Sequence, residues 1–302
     1  MSVTPEKNRD TLEIKSYADF RRLIKGQTSK SMHDLYDDLY YQKHVGNKEV
    51  ADSYFKTLGL GDSKYTKIIH DIAHVGPGEK ILDIGCGRGE MVFISAHAGA
   101  DATGIDFADS AIKIANEMRL KHSPDIQART RFIYNDAGEL DFEKNYFDKV
   151  FLVDVVEHVS YKEMADIFMN VKRVLKPDGK LIINTAPNVL TRTIGFKIKA
   201  AVYLLTKGKI PEHPIVTQFN TLKSDSEYDE HKILLHINEQ SVFSLRRALK
   251  NCGYETEVWL EHTRNPWENS KNLHGRLLSS LYNLYGLKYI FGTHINAIAS
   301  PK

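Results

Sequence analysis

Cysteine is almost missing from this chain: of 302 residues, only Cys86 and Cys252 carry a thiol. Two cysteines can build neither a disulfide framework nor a cysteine-rich zinc site, so the fold must rest on an apolar core, and a reducing compartment such as the cytoplasm is expected. Long apolar runs are also missing. No stretch approaches the roughly twenty residues that cross a bilayer, and Met1-Ser2-Val3-Thr4-Pro5-Glu6-Lys7 lacks a basic-then-apolar leader. Charge of one sign is not in excess either. With 41 basic and 39 acidic side chains the net charge is +2, so no global field draws the protein to nucleic acid or lipid. Repeats and low-complexity tracts are absent. What remains, 42% hydrophobic and 26% charged residues, is the composition of a globular protein able to bury a sizeable core.

The most informative stretch present is Lys80-Ile81-Leu82-Asp83-Ile84-Gly85-Cys86-Gly87-Arg88-Gly89-Glu90. A short apolar strand runs into three alternating glycines, which let the backbone turn tightly and approach a ligand closely. The spacing is Gly-x-Gly-x-Gly behind an acid, not the Gly-x-Gly-x-x-Gly of dinucleotide sites, so a different nucleoside cofactor is expected. A second strand, Ala102-Thr103-Gly104-Ile105-Asp106-Phe107, ends in an acid seventeen residues after Gly89. That is close to the spacing at which a carboxylate meets ribose hydroxyls.

Asp83-x-Gly85-x-Gly87-x-Gly89 followed by Gly104-x-Asp106 resembles the class I S-adenosylmethionine-dependent methyltransferases. Further matches follow in the family's order. Asn135-Asp136-Ala137 comes after a third strand at 131–134, Phe147 to Asp154 reads as a fourth, and Leu175-Lys176-Pro177-Asp178-Gly179 turns into a fifth over 180–183. The resemblance spans about residues 64–188. It implies an α/β fold with a doubly wound, mostly parallel seven-stranded sheet, whose last two strands are neighbours and whose final one is antiparallel. S-adenosylmethionine is the implied cofactor.

Around that core the chain divides into a helical cap over 1–63, a cofactor-binding core over 64–188, a helical insertion over 189–235, and a C-terminal return to the sheet over 236–302. The cap is tyrosine-rich, with Tyr36, Tyr40, Tyr41 and Tyr54, and helical patterns at 19–24, 32–41, 50–58 and 65–73. Ile68, Ile69, Ile72 and Ala73 form a stripe expected to pack on the sheet. In the family such caps cover the cofactor and line the acceptor site. In the insertion, Ile194, Ile198, Ala201, Val202 and Leu205 share a helical face expected to be buried, while residues 190–210 hold five basic side chains and no acid. Three uses fit that segment: a flap over the active site, a homodimer face, or a peripheral membrane contact. Asn238 is read as capping a helix from Glu239 to Asn251 that stops at Gly253. Strands are expected at 255–261 and 294–299, separated by a helix holding Leu277, Leu278, Leu281, Leu284 and Leu287.

The candidate site follows from these positions. Amides of the Gly85, Cys86, Gly87 and Gly89 turn can meet the methionyl carboxylate. Asp83 orients the loop and the ammonium, Asp106 accepts both ribose hydroxyls, and Ile84 and Phe107 offer apolar faces to the adenine. By resemblance, Asp136 and the Ala137 amide meet the adenine amino edge, and Asp154 closes the cofactor site at the fourth strand. A hydroxyl acceptor needs a base, and His158, just past that strand, is the candidate. His231 and His236 stand second. Asp154, Glu157 and His158 resemble the acid-x-x-Glu-His arrangement of ubiquinone-biosynthesis O-methyltransferases, some of which bind a divalent cation; the expectation here is no metal. The expected activity is O-methylation of a small molecule, a sugar, phenol or secondary metabolite. Nitrogen or carbon methylation and a catalytically silent cofactor-binding subunit are the alternatives. Nucleic acid is not an expected partner, since no Asn/Asp-Pro-Pro-Tyr-like stretch follows the fourth strand.

Overall fold

In the computed structural model, residues 48–61, 63–213, 236–261, 267–284 and 287–302 are described, together with Asp19, Arg22 and Tyr41. The helical patterns expected at 19–24 and 32–41, and His231, fall largely or wholly outside them.

Short apolar runs punctuated by glycine become seven strands: β1 Lys80–Ile84, β2 Asp101–Asp106, β3 Thr130–Tyr134, β4 Phe147–Val153, β5 Leu175–Thr185, β6 Tyr254–Leu260 and β7 Ile295–Pro301. They form one sheet in the order β3-β2-β1-β4-β5-β7-β6. The first five are parallel, and β7 runs antiparallel between β5 and β6. The expected seven-stranded, doubly wound sheet is therefore present. Alternating side chains fill two cores, one on each face. Leu82, Ile84, Val150, Leu152, Leu181 and Ile183 face one, where Phe168 and Leu245 pack. Ile81, Phe151, Val153 and Ile182 face the other, with Val92, Ile112 and Ile69. Burial on both faces explains why these strands read as continuous apolar runs rather than alternating ones.

Helices cover both faces. They are α1 Lys48–Thr57, α2 Ser63–Lys67 (continuing as a π turn over Ile68–Ile72), α3 Glu90–His97, α4 Asp109–Arg119, α5 Pro124–Arg129 and α6 Tyr161–Val174. After β5, a π turn at Thr191–Gly195 leads into α7 Phe196–Lys207, followed by α8 Val242–Asn251, α9 Leu273–Asn283 and α10 Lys288–Phe291. Ile68 and Ile69 are buried, as their stripe predicted.

Four local expectations are corrected. The Pro177-Asp178-Gly179 turn is a bulge inside β5: Leu175 pairs with Phe147 and Lys180 with Lys149, so the strand absorbs the extra residues instead of starting after them. The cap of α8 is Ser241, whose hydroxyl accepts from the Ser244 amide while Ser244 bonds back to the Ser241 amide. Asn238 is occupied elsewhere, donating to Val156 O and, through its backbone amide, to Glu157 O. Helix α9 stops at Asn283, leaving Leu284 at its C-cap and Leu287 beyond it. On α7 only Val202 is buried; Ile194 is exposed and Leu205 is 83% exposed, so the expected inward stripe does not form.

Candidate active site

β1, β2 and β4 lie side by side, with Ile84 level with Ile105 on one flank and Leu152 on the other. Their carboxyl ends place the glycine loop, Asp106 and Asp154 on one rim of the sheet, where open α/β sheets bind ligands. Gly85, Gly87 and Gly89 take φ of 71°, 52° and 90°, a left-handed region open to glycine at little cost. Close approach also enforces glycine: a Cβ on Gly89 would lie 2.5 Å from the Phe132 ring, and one on Gly85 would lie 2.7 Å from Val155. The Gly85 and Cys86 amides donate to Ile105 O at 2.8 and 3.0 Å. Gly104 makes room for Cys86, whose sulfur would be 2.8 Å from a Cβ there.

Asp106 ties the loop together. Its carboxylate accepts from the Gly87 amide at 2.9 Å and the Ala108 amide at 2.9 Å. The Phe107 amide and the Tyr41 side chain also bond to it. Burial outweighs these bonds and pushes its pKa up to about 6. Burial, with Glu90 and Asp106 close by, holds the Asp83 carboxyl well above the usual carboxylate range. Arg88 is buried and meets Glu90 at 2.7 Å, its guanidinium 4.2 Å over the Tyr54 ring. Tyr54 in turn donates to Arg88 O at 2.7 Å, so α1 is docked on the glycine loop. Three buried carboxylates, Asp83, Glu90 and Asp106, thus gather beside one guanidinium. Such an acid-rich lining suits a ligand carrying ammonium and sulfonium charges, which fits S-adenosylmethionine. Asp136 lies at the outer edge, exposed, accepting from the Gly138 amide at 2.8 Å, with Ala137 packed against the core.

The loop after β4 forms a second wall. Asp154 sits at φ 54°, and both its carboxylate oxygens accept from Lys64 Nζ, at 2.8 and 2.6 Å. Glu157 is buried, accepts from Thr185 Oγ1 at 2.7 Å and faces the Ala186 amide at 3.4 Å. Burial, then the Asp154 charge, pushes its carboxyl up to about 8. The His158 ring packs edge-on against His236, centroids 4.9 Å apart. Burial, then His158 and Arg192, holds His236 well below the ordinary imidazole value. A carboxylate oxygen of Glu157 and ring nitrogens of His158 and His236 come within 4.8 Å of one another, a grouping able to hold a divalent ion. The trio that the sequence pattern suggested is thus rearranged: His236 joins Glu157 and His158, while Asp154 is held by Lys64.

Several members of this wall carry no signal in the sequence. Arg192, at the root of α7, pairs with the buried Glu239. His294, before β7, has a buried Nδ1 that finds no hydrogen-bond partner among the described residues. Burial and Lys64 lower the pKa of that imidazole, against opposing pulls from Glu261 and Asp154. Lys64, Arg192 and His294 come from the helix before β1, the insertion and the loop before β7, so no spacing rule could group them. Tyr41 and Tyr54 were visible only as members of a tyrosine-rich segment.

Residues 82–183 match the family described as Methyltransferase domain. A Plasmodium falciparum phosphoethanolamine N-methyltransferase is 30% identical over 136 residues, 44% of this chain and 47% of that protein. A ubiquinone biosynthesis O-methyltransferase of Xanthomonas oryzae pv. oryzae is 33% identical over 108 residues, 36% of this chain and 43% of that protein. The chain therefore spans about half the length of these curated relatives. Among solved structures, Haemonchus contortus phosphoethanolamine N-methyltransferase 2, in complex with phosphomonomethylethanolamine and S-adenosylhomocysteine, superposes with a TM-score of 0.54 at 17% identity, covering 90% of this chain and 60% of that one. The glycine loop and the two acids lie within the matched segment, so the motifs that resemble the class I S-adenosylmethionine-dependent methyltransferases and the residues that match the methyltransferase domain are the same stretch of chain.

Proposed function

We propose that this chain transfers the methyl group of S-adenosylmethionine to an oxygen of a small-molecule acceptor, with His158 as the base that takes the acceptor's proton. The observation that carries this reading is the abutment of two loops: a Cβ on Gly85 would strike Val155, so the cofactor loop touches the turn that presents His158. When bound, the cofactor supplies an electrophilic methyl carbon, and the protein's task is to align and deprotonate a nucleophile. The amides of Gly85, Cys86, Gly87 and Gly89, expected to meet the methionyl carboxylate, are spent within the loop on Ile105 O, Asp106 and Cys86 O; the turn they brace lies against the methionyl end, with Asp83 holding the ammonium and Asp106 the ribose hydroxyls. Phe107, Asp136 and Ala137 border the adenine, while Asp154, restrained by Lys64, borders the methyl-bearing end. The described parts of the cap (1–63) and the insertion (189–235), residues 48–61 and 189–213, border the acceptor pocket beside the core, 64–188, and the C-terminal part, 236–302. A reducing, cytoplasmic setting suits the two free cysteines. The chemistry calls for no Lewis acid, so turnover should persist unchanged after chelation, and loss of activity that magnesium or zinc restores would assign a metal to Glu157, His158 and His236.

A second reading, transfer to an amine nitrogen, is favoured by the similarity to a phosphoethanolamine N-methyltransferase, 30% identical over 136 residues. One experiment separates the two: methyl transfer from isotopically labelled cofactor to a panel of phenols, sugars and primary amines. Labelled phenols or sugars are expected. Label confined to amines would favour the second reading, and tight cofactor binding without any turnover would indicate a silent subunit.

A further inference from the structure

We infer that the outer face of α7 and α9 docks on an anionic lipid surface. The two helices pack together, with Tyr203 on α7 and His274 on α9 in ring contact at 4.9 Å. Helical geometry turns the neighbours of those two rings outward. On α7 the residues Lys197, Ala201, Leu204 and Leu205 share the solvent side, opposite buried Val202. On α9 the residues Leu273 and Leu277 share theirs, opposite buried Gly275 and Leu278, and Leu284 at its C-cap is exposed too. Leu205 is 83% exposed and Leu273 64%, and Ile210, just past the Gly208 stop of α7, is 64% exposed. Single exposed leucines are ordinary, but this many on two touching helices form a patch that calls for a partner.

Charge identifies that partner. Residues 190–211 carry five basic side chains and residues 269–284 carry two, with Glu212 and Glu268 just outside them, whereas the whole chain nearly balances at 41 basic and 39 acidic residues. Arg192 is spent inside on Glu239, whereas Lys197, Lys207, Lys209, Lys271 and Arg276 are exposed around the leucines. Apolar side chains ringed by lysine and arginine match an acyl-chain boundary beneath phosphate headgroups, to which each nearby basic residue adds attraction. No helix among the described residues is long and apolar enough to cross a membrane, so the contact is peripheral. It is independent of which acceptor is methylated, and of whether the chain is a methyltransferase at all.

The test is co-sedimentation of the full chain with vesicles of phosphatidylcholine alone and of phosphatidylcholine with phosphatidylglycerol. Binding to the anionic vesicles only is expected, weakening steeply with salt and falling about tenfold or more in Leu204→Glu/Leu205→Glu and in Lys207→Glu/Lys209→Glu. These side chains are exposed, so circular dichroism and affinity for S-adenosylhomocysteine should match the parent. Failure to sediment with anionic vesicles at low salt would overturn the proposal. So would sedimentation that the four substitutions leave unchanged, or variants whose main effect is to convert a dimer to a monomer in analytical ultracentrifugation, which would make this face a contact between copies of the chain.

Discussion

The two walls of the site are built in opposite ways. The wall proposed for the cofactor is local: Gly85 to Glu90 and Asp106 to Ala108 form it from two strand ends, and backbone amides lock it together. The wall proposed for the acceptor is assembled from a distance. Lys64 reaches Asp154 across 90 residues, Arg192 reaches Glu239 across 47, and Thr185 reaches Glu157 across 28. A site made of backbone and spacing has little freedom to vary without losing its ligand. A site made of side chains from separate elements can be retuned one residue at a time, which is how one fold hosts many acceptors.

If the walls are separate in function, changes on each should move different quantities. The largest effect is expected from His158→Asn, which keeps the ring's approximate volume but removes the base: turnover should fall about 10²–10⁴-fold with cofactor affinity nearly unchanged. Steady-state kinetics beside calorimetry would show this, and a parallel loss of affinity would merge the two walls. Next is Gly89→Ala, which puts a methyl group against Phe132 at a left-handed φ. It should cost about 2–4 kcal/mol of stability, read from denaturant unfolding, and weaken cofactor binding as well. A smaller effect belongs to Glu157→Gln. The folded protein holds the Glu157 proton up to about pH 8, well above the ordinary carboxylate value of 4.5, so the wild type loses stability as pH rises across that window. The glutamine form carries no such penalty. Relative to wild type, its unfolding free energy, read from denaturant titration, should climb between pH 4.5 and 8, by on the order of 1 kcal/mol or more at the upper end, and an unchanging difference would remove Glu157 as a buried neutral acid.

The contrast also explains what could be read before any coordinates. The strands were legible because parallel strands buried on both faces leave short apolar runs, and glycines mark their ends; their assembly into a seven-stranded sheet with an antiparallel last strand came from the family resemblance. The turn at Gly85, Gly87 and Gly89 and the placement of Asp106 beside it were legible because they depend on φ and chain spacing. The failures share one cause. Asn238 looked like a helix cap, but its amide is claimed by the Val156 carbonyl, 82 residues away. Leu205 looked buried by periodicity, yet α7 packs through Val202 and Tyr203 and leaves it outside. His236 was visible only as a nearby histidine; that it meets His158 is a consequence of Asn238 anchoring its segment to the turn after β4. Tertiary contacts decide such positions, and a single sequence does not encode them in any local pattern.

The most direct test of the division between the walls is calorimetric titration of S-adenosylhomocysteine into the parent, Asp106→Ala and His158→Asn between pH 5 and 8. The account predicts micromolar affinity for the parent that declines as pH falls through about 6 and Asp106 takes up a proton, a loss of about 1–3 kcal/mol in Asp106→Ala with that pH dependence gone, and a parent-like curve for His158→Asn. Unchanged affinity in Asp106→Ala, or a decline in His158→Asn as large as in Asp106→Ala, would contradict it.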